Sequence, residues 1–517
     1  MCPAPQTLFE KAAQLVMVRL GSNLPPGVTA EDDRDRVAAL LEDCPVGGLL
    51  VFNAHWPGVA HTLNALQGQS RFPLLVASDI ERGAGQQVAG ATCYPHAMAF
   101  GALDEAEAAV ADFARTTARE ARACGIHWAF APVADINLHA ENPIISTRAF
   151  GTEPQAVARL VRAYVAAARE AGLLTSAKHF PGHGRTTTDS HATLPTVSTP
   201  RADLVATDLL PFQAAIDAGV ESVMTAHVAY SALDESGVPA TLSAPILQEV
   251  LRAEMGFTGV VVSDSLLMEG VQGAHADPGT QAAALVQAGV DVLLDPKDPR
   301  ALVQGLVRAV ETGALDPDIL DAAAQRVWRL KTRVAGDKGA ASFRADPEAS
   351  VVGRYQPAAD RVARRALTVQ HEASGAWPLP ADGAGVLVIR ITPRTEEPAA
   401  APTALEEAVR TAFPRATYRA VDGAAAPAEM KALQAEAQAA ARVVLALAVE
   451  PAAWHAFGLT AEQQAFVRAV TRQTPTIAAA LGSPHVLDAV PEAGARLCTF
   501  SDVPAAQRAL VRWLQGR

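Results

Sequence analysis

The segment 178–191 gathers the side chains of this chain that are best suited to chemistry. It reads Lys-His-Phe-Pro-Gly-His-Gly-Arg-Thr-Thr-Thr-Asp-Ser-His, with one lysine, three histidines and one aspartate. The apolar run Leu173 to Ala177 directly before it is typical of a buried strand. Titratable groups at the point where a strand ends and a glycine-containing loop begins indicate an active site rather than a core.

The end of this segment holds a candidate proton-transfer pair. His191 stands two residues after Asp189, and an aspartate beside a histidine accepts its N–H, fixes the tautomer and raises the basicity of the ring. Histidine is the side chain best matched to proton transfer near neutral pH. The spacing is compatible with an acid–base dyad within the loop, and also with a solvated loop in which it is accidental.

A second candidate is Asp264, which follows the apolar run Val260 to Ser263. A carboxylate at the end of a strand, partly shielded from water, can attack an electrophilic carbon. The alternative is that Asp264 caps the N-terminus of the next helix.

Lys178 and His179 are candidates for binding hydroxyl groups, although a strand-end charge and a core histidine would look the same in sequence. A metal site built from His179, His183 and His191 is a further alternative. No matching carboxylate or helical H-x-x-x-H spacing accompanies these histidines. We therefore predict no metal and no cofactor.

Composition excludes several classes of function. The chain has 517 residues, half of them hydrophobic, which predicts two or three domains. The net charge is -12 and no basic run occurs, so nucleic acid is not an expected partner. The five scattered cysteines favour a reducing compartment. Neither a signal-peptide pattern nor an apolar run of membrane length is present, so we expect a cytoplasmic protein without a membrane partner.

Short apolar runs alternate with alanine-rich helical stretches through the first two thirds of the chain, which predicts a (β/α)8 barrel. The candidate strands are Leu15–Leu20, Gly48–Phe52, Leu74–Ser78, Trp128–Pro132, Leu173–Ala177, Ser222–Ala226, Val260–Ser263 and Val290–Asp295. Polar residues follow six of these runs, namely Asn53, Asp79, Asp135 with Asn137, Lys178 with His179, His227, and Asp264. In a barrel these positions converge on one mouth.

The remaining third shows a second αβ pattern, which predicts a smaller αβ sandwich domain. Its candidate strands are Val386–Ile391, Val443–Val449, Thr476–Ala480 and Leu497–Phe500. We expect the barrel over residues 1–340, a linker with a connecting helix over 341–370, and the second domain over 371–517. No phosphate-binding glycine motif follows any of its strands, so a nucleotide is not predicted.

Four segments of the chain resemble glycoside hydrolase family 3, in particular its bacterial β-N-acetylglucosaminidase branch. Residues 178–191 match the pattern K-H-F-P-G-H-G-x-x-x-x-D-S/T-H, 142–151 match N-P-x-I-x-x-R-S/A-F-G, 224–227 match M-x-x-H, and 262–268 resemble the nucleophile strand. The second domain resembles the family's C-terminal sandwich more loosely, through Leu481-Gly482-Ser483-Pro484.

The resemblance implies a retaining, exo-acting β-N-acetylglucosaminidase that acts on carbohydrate, including cell-wall fragments of peptidoglycan recycling. Asp264 would be the nucleophile that forms a glycosyl-enzyme, and His191 would be the general acid and then the general base, oriented by Asp189. The sugar hydroxyls would be held by Asp79, Arg148, Lys178 and His179, with Asp135 and His227 as further candidates. The run 78–88 departs from the branch pattern D-Q-E-G-G-x-V-x-R by lacking the late arginine.

Three alternatives and one extension stay open at this point. A β-glucosidase or β-xylosidase of the same family would take its proton from a glutamate of the second domain, for which Glu450 is the candidate. A sugar-binding or cell-wall sensor protein without catalysis is the second alternative, and a metal-dependent barrel hydrolase is the third. Because a neutral imidazole does not repel anions as a carboxylate base does, we also hypothesise that phosphate competes with water for the intermediate. Glycines 182 and 184 would serve as hinges for a movable acid.

Overall fold

The computed structural model describes residues 4–188, 194–271, 277–373, 375–395, 402–452 and 457–517. The chain packs into two compact units. The first contains Met1–Cys93, Glu107–Ile136 and Thr152–Tyr355, and the second contains Tyr94–Ala106, Asn137–Gly151 and Gln356–Arg517. We expected the barrel over residues 1–340, whereas Tyr94–Ala106 and Asn137–Gly151 belong to the second unit.

The first unit is an eight-stranded parallel barrel, which confirms the predicted fold. Its strands are β1 (Val16–Leu20), β2 (Gly48–Val51), β3 (Leu75–Ser78), β4 (Trp128–Ala129), β5 (Leu174–Phe180), β6 (Ser222–Thr225), β7 (Val260–Val262) and β8 (Leu293–Leu294). The order is β7-β6-β5-β4-β3-β2-β1-β8, and a parallel bridge from Val262 to Val292 joins the two ends. Each strand overlaps one of the eight runs expected from sequence.

The strands form because their sequences can be buried on both faces. Every residue in the eight strands is buried except Arg19 of β1, which is partly buried. Continuous apolar runs are the usual sequence of parallel strands that are covered by helices outside and packed inside. Strand β5 continues three residues beyond the predicted end at Ala177. Lys178 and His179 therefore lie in the strand and not in the loop that follows.

The helices of the first unit surround this barrel. They are Leu8–Gln14, Arg34–Leu41, Gly58–Gln69, Ala106–Cys124, Pro154–Glu170, Arg201–Ala206, Leu210–Asp217, Pro278–Ala288, Pro299–Glu311 and Pro317–Ala335, with a π-helical segment at Pro245–Glu254 and 3-10 turns at Gly336–Phe343. Three of them begin with Asp-Pro, and the aspartates at 277, 298 and 316 accept a hydrogen bond from a first-turn amide. The helices Arg201–Ala206 and Leu210–Asp217 are separate, and Pro211 lies in the first turn of the second one.

The second unit is an open sheet with helices. Its strands are β9 (Thr368–Glu372), β10 (Val386–Ile391), β11 (Thr417–Val421), β12 (Arg442–Leu447), β13 (Thr476–Ala480) and β14 (Ala495–Cys498). The order is β9-β14-β13-β12-β10-β11, with only β9 antiparallel to its neighbour. Strands β9 and β11 were not predicted. They are the two edges of the sheet and lack the apolar run on which the prediction relied, β9 being exposed throughout.

The described part of the second unit also contains α-helices. They are Ala97–Gly101, Gln356–Ala366, Ala404–Ala412, Pro427–Ala439, Ala461–Gln473 and Pro504–Leu514. The first comes from the segment that interrupts the barrel sequence. Within the described parts of the chain, no helix is both long and apolar enough to cross a membrane.

His127 lies just before β4 and is fully buried. Its Nδ1 accepts a hydrogen bond from the Val76 backbone N–H at 3.0 Å, so this nitrogen carries no proton. Burial lowers the pKa of His127 well below its ordinary value, and the nearby Arg122 guanidinium lowers that pKa further. The folded protein therefore keeps this ring neutral under conditions in which an unfolded chain would protonate it.

The neutral His127 predicts a loss of stability in mild acid. The unfolded chain takes up the proton near pH 6.5 while the folded chain resists it, so stability is full above about pH 6.5 and falls as the pH decreases. We expect a loss of about 2 kcal/mol from this residue between about pH 6.5 and pH 5. Urea unfolding across this range measures it. In His127→Asn the amide oxygen can replace Nδ1 and cannot titrate, so the pH dependence should flatten. Equal slopes in the two proteins would contradict this account.

Candidate active site

An irregularity in β5 aims two consecutive side chains at the polar end of the barrel. Lys178 lies opposite Met224 of β6, whereas Phe180 lies opposite Thr225, so His179 is an extra residue in the ladder. Consecutive residues of a regular strand point to opposite faces, and a bulge re-aims them, often beside active sites. Both Lys178 and His179 are buried and bond to polar residues that follow β3 and β4.

Lys178 is held between two carboxylates that follow β3. Its Nζ lies 2.6 Å from Asp79 Oδ1 and 2.7 Å from Glu81 Oε1. The lysine side chain is only 3 % exposed, and its buried charge is compensated by these two partners. Asp79 is 29 % exposed against 10 % for Glu81. Asp79 is thus the carboxylate of this group that a ligand entering from solvent would meet first.

Asp135 orients His179. Its carboxylate is fully buried and accepts hydrogen bonds from His179 Nδ1 at 2.7 Å, the His179 N–H at 3.1 Å and the His183 N–H at 2.5 Å. An ionised carboxylate can only accept, so Nδ1 carries the proton, and in the neutral ring Nε2 is the basic nitrogen. Because Asp135 is enclosed, this geometry makes it a support for His179 rather than a group exposed to ligand.

The first half of the loop after β5 is anchored. The Tyr230 hydroxyl donates to the Gly182 carbonyl. A Cβ on Gly184 would meet the Ile136 carbonyl at 1.7 Å, so close backbone approach explains this glycine. Arg185 donates to Asp208 at 2.9 Å and 3.1 Å.

Thr187 is the first residue of this loop that is exposed to solvent. The predicted catalytic pair, Asp189 and His191, lies outside the described residues. Gly184, one of the two glycines predicted to be hinges, is the one with the close backbone neighbour.

Asp264 follows β7 and is partly exposed. Its Oδ1 accepts a hydrogen bond from the Ser265 backbone N–H at 2.7 Å. His227, which follows β6, is fully buried, with Nδ1 2.8 Å from the Thr241 hydroxyl and Nε2 3.2 Å from the Ser265 carbonyl. His227 therefore bonds to the loop that carries Asp264.

Six of the predicted site residues thus lie in the last residues of consecutive barrel strands, β3 to β7, or after them. They are Asp79, Asp135, Lys178, His179, His227 and Asp264. Since the carboxyl ends of parallel barrel strands face one end of the barrel, these side chains share that end. The arrangement offers one partly exposed carboxylate beside an ammonium, one oriented imidazole and a second partly exposed carboxylate that accepts from a backbone amide.

Arg148 belongs to the second unit. It ends the short turn Ser146–Arg148, and its Nη1 donates to the Ile144 carbonyl at 2.9 Å. The buried Asn142 side chain shapes this turn by accepting from the amides of Ile144 and Ile145 at 2.9 Å and 2.7 Å.

Glu450, the candidate of the alternative mechanism, has structural partners within the second unit. Its Oε1 accepts from the Asp502 N–H at 2.7 Å and lies 3.4 Å from His96 Nδ1. His96 Nδ1 also lies 2.9 Å from the Ser501 hydroxyl. The Glu450 side chain is 21 % exposed. The Glu450 carboxylate, which follows β12, thus lies beside His96, the residue that precedes the helix Ala97–Gly101.

Three residues near the site were not among the predicted ones. Glu81 lies in the run 78–88 and pairs with Lys178. Asp295 follows β8 and was the polar residue that ends the eighth run, so the rule applied to the other strands could have found it. Ser265 gave no signal of its own. Among the described residues, no group of three or more His, Cys, Asp or Glu side chains could hold a metal ion.

The comparisons with known proteins agree with this architecture. A model of the glycosyl hydrolase family 3 N-terminal domain matches residues 7–330. A Cellulomonas fimi protein named beta-N-acetylglucosaminidase/beta-glucosidase is 34 % identical over 371 residues, which covers 68 % of this chain and 64 % of that protein. A beta-hexosaminidase of Alkalilimnicola ehrlichii is 37 % identical over 282 residues, covering 53 % of this chain and 78 % of the relative.

A solved structure extends the likeness along the chain. The glycoside hydrolase family 3 beta-N-acetylglucosaminidase from Paenibacillus sp. str. FPU-7 has a TM-score of 0.85 and 28 % identity, covering 99 % of this chain and 97 % of that chain. The chain spans less than two thirds of the Cellulomonas fimi relative. Since the family model matches more than half of its residues, the chain belongs to glycosyl hydrolase family 3.

Proposed function

We propose that this protein is a retaining, exo-acting β-N-acetylglucosaminidase that removes terminal N-acetylglucosamine. The observation that carries the proposal is the set of carboxylate, ammonium and imidazole groups at the carboxyl ends of five consecutive strands, β3 to β7, of a family 3 barrel. Relatives named for activity on N-acetylglucosaminides or hexosaminides support this choice of sugar.

In the proposed mechanism Asp264 is the nucleophile. Its carboxylate attacks the anomeric carbon while the bond from that carbon to the leaving oxygen breaks, which gives a glycosyl ester. His191, oriented by Asp189, gives its proton to the leaving oxygen. The neutral imidazole then takes a proton from water as the water attacks the anomeric carbon and releases Asp264. The double displacement retains the β configuration.

The sugar hydroxyls would be bound by Asp79, Lys178, His179 and Arg148. Asp79 suits this role because its carboxylate is partly exposed beside a buried ammonium, so it can accept from hydroxyls while its charge is compensated. The Asp135 bond fixes the His179 ring and directs its basic Nε2 away from that carboxylate. In this proposal Asp135 acts through His179.

A β-glucosidase that uses Glu450 as its acid and base is the second candidate. One relative bears both activities in its name, which favours testing glucosides beside N-acetylglucosaminides. The structural bonds of Glu450 to Asp502 and near His96 argue against a free proton donor at this position.

The nucleophile is tested by Asp264→Asn on aryl β-N-acetylglucosaminide, β-glucoside and β-xyloside. We expect the wild type to prefer the N-acetylglucosaminide, and the variant to lose at least about 10³-fold in kcat because the amide cannot form the ester. Asp316→Asn, at a surface helix cap, is the matched control and should retain activity. A fully active Asp264→Asn protein would exclude the mechanism.

The acid is tested by His191→Gly and Glu450→Gln. We expect His191→Gly to lose about 10²–10⁴-fold in kcat on substrates with poor leaving groups. On an activated aryl N-acetylglucosaminide, whose leaving group needs no proton, breakdown of the glycosyl-enzyme becomes the slow step in this variant. Added azide should then restore part of the rate, because azide attacks the glycosyl-enzyme without base catalysis. Glu450→Gln should stay within about tenfold of the wild type and show no azide effect, since its expected loss is of hydrogen bonds only. The reverse pattern would favour the β-glucosidase mechanism.

We also propose that phosphate competes with water for the glycosyl-enzyme. A neutral histidine base adds no negative charge near the anomeric carbon, so an anionic nucleophile is not repelled by it. Product analysis with and without millimolar phosphate should then detect N-acetylglucosamine 1-phosphate only in the presence of phosphate. Free sugar as the sole product at both conditions would refute phosphorolysis while leaving hydrolysis intact.

A further inference from the structure

Ser265, the residue after Asp264, is bonded through its amide, its hydroxyl and its carbonyl. The amide donates to Asp264 Oδ1 at 2.7 Å. The hydroxyl donates to Asp295 Oδ2 at 2.9 Å and accepts from the Leu267 N–H at 3.3 Å. The carbonyl accepts from His227 Nε2 at 3.2 Å. Its backbone and side chain are thus fixed at the point where it binds the Asp264 carboxylate.

The two residues that hold Ser265 come from the strands on either side of β7. His227 follows β6 and Asp295 follows β8. Both are buried, His227 at 0 % and Asp295 at 3 % exposure. The loop that carries Asp264 is therefore attached to its two neighbouring strands, and a rigid barrel sets its position.

The hydrogen bonds of His227 identify which nitrogen is needed. A carbonyl oxygen can only accept, so His227 Nε2 must carry a proton toward Ser265. On the other side of the ring, Nδ1 lies 2.8 Å from the Thr241 hydroxyl. His227 was one of the further candidates for sugar binding, whereas its ring is buried and bonds to the loop of Asp264.

Asp295 is itself oriented by a charge. Arg19 of β1 donates to it through Nε at 3.2 Å and through Nη2 at 2.5 Å, and the guanidinium lies 5.1 Å from the centre of the Phe52 ring. Burial raises the pKa of Asp295, which the Arg19 charge opposes. The backbone of Asp295 has φ of 58°, a region that is uncommon for residues other than glycine and that is found at constrained functional positions.

We propose that His227 and Asp295 are positioning residues for the nucleophile, acting through Ser265. They hold the Ser265 amide where it bonds to Asp264 Oδ1, and so set the direction from which the carboxylate meets the anomeric carbon. The inference rests on the proposed function, in which Asp264 is that nucleophile. A displacement of about 1 Å at a reacting group costs on the order of 10²-fold in rate. Loss of the hydrogen bonds from His227 or to Asp295 should therefore slow formation of the glycosyl-enzyme and leave sugar binding unchanged.

Substitution of His227 by glutamine or by asparagine distinguishes the roles of its two ring nitrogens. In His227→Gln the amide nitrogen can replace Nε2 and donate to Ser265, whereas in His227→Asn it can replace only Nδ1, on the Thr241 side. We expect His227→Gln to keep kcat/KM within about fivefold of the wild type, and His227→Asn to lose about 30-fold, within the range for supporting residues. The inhibition constant of free N-acetylglucosamine should stay within about twofold in both.

Ser265→Ala gives an independent measurement on the Asp295 side. It removes the hydroxyl that donates a hydrogen bond to Asp295, and it keeps the backbone amide and carbonyl of residue 265. The burst rate with an activated aryl glycoside, which reports glycosyl-enzyme formation, should fall about tenfold, with an unchanged inhibition constant for the free sugar. Far-ultraviolet circular dichroism and the thermal midpoint show whether each variant is folded.

Three results would overturn the proposal. They are equal activity of folded His227→Gln and His227→Asn, a sugar inhibition constant that changes in parallel with kcat/KM, and a wild-type burst rate in Ser265→Ala. If the wild type cleaves none of the glycosides, the proposed function fails instead. In that case the rate of amide hydrogen exchange over residues 263–268 measures how firmly the loop of Asp264 is held. This exchange should be faster in His227→Asn than in His227→Gln. Equal exchange in the two variants would overturn it without reference to activity.

Discussion

The site depends on one constraint: polar groups at the enclosed end of a parallel barrel must find partners within the protein. The ammonium of Lys178 lies between two carboxylates, and the carboxylate of Asp135 accepts three N–H groups. A buried charge without such partners would be strongly destabilising. The bonds that make burial tolerable also fix which atom of each side chain faces outward. Stability and orientation of the site thus have the same cause.

The second unit uses its strand ends for its own packing. In doubly wound sheets, ligands bind outside the carboxyl ends of the strands where the strand order reverses, here between β10 and β12. In this unit Arg394 donates to the Glu450 carbonyl at 2.6 Å, and the Ala452 amide donates to the Pro143 carbonyl at 3.2 Å. The segment 137–151, with Arg148, therefore packs at the place where a related fold would bind a cofactor.

The sequence predicted the barrel well because each strand is a short apolar run and the periodicity is repeated eight times. It also located the polar residues after the strands, since side chains of that kind are rare in a core. The prediction failed where a strand is specified by residues that are distant in the chain and not by its own sequence. The edge strands β9 and β11 lack apolar runs, and their pairing depends on neighbours far away in the chain.

The same reason limits what sequence can say about individual site residues. His227 was identified from its position after a strand, but its bond to Ser265 depends on how two neighbouring loops meet. Glu81 and Asp295 are ordinary acidic residues until Lys178 and Arg19 are placed beside them. The division of 94–106 and 137–151 from the barrel is likewise a matter of tertiary packing, which periodicity does not report.

The most direct measurement of the central claim is to trap the glycosyl-enzyme. A variant that lacks the base His191, incubated with an activated aryl β-N-acetylglucosaminide and quenched in acid, should accumulate protein that carries one N-acetylglucosaminyl group. Peptide mass spectrometry should then locate that group on Asp264. A label on another carboxylate, or an α-configured sugar released by the wild type with no label at all, would contradict the account.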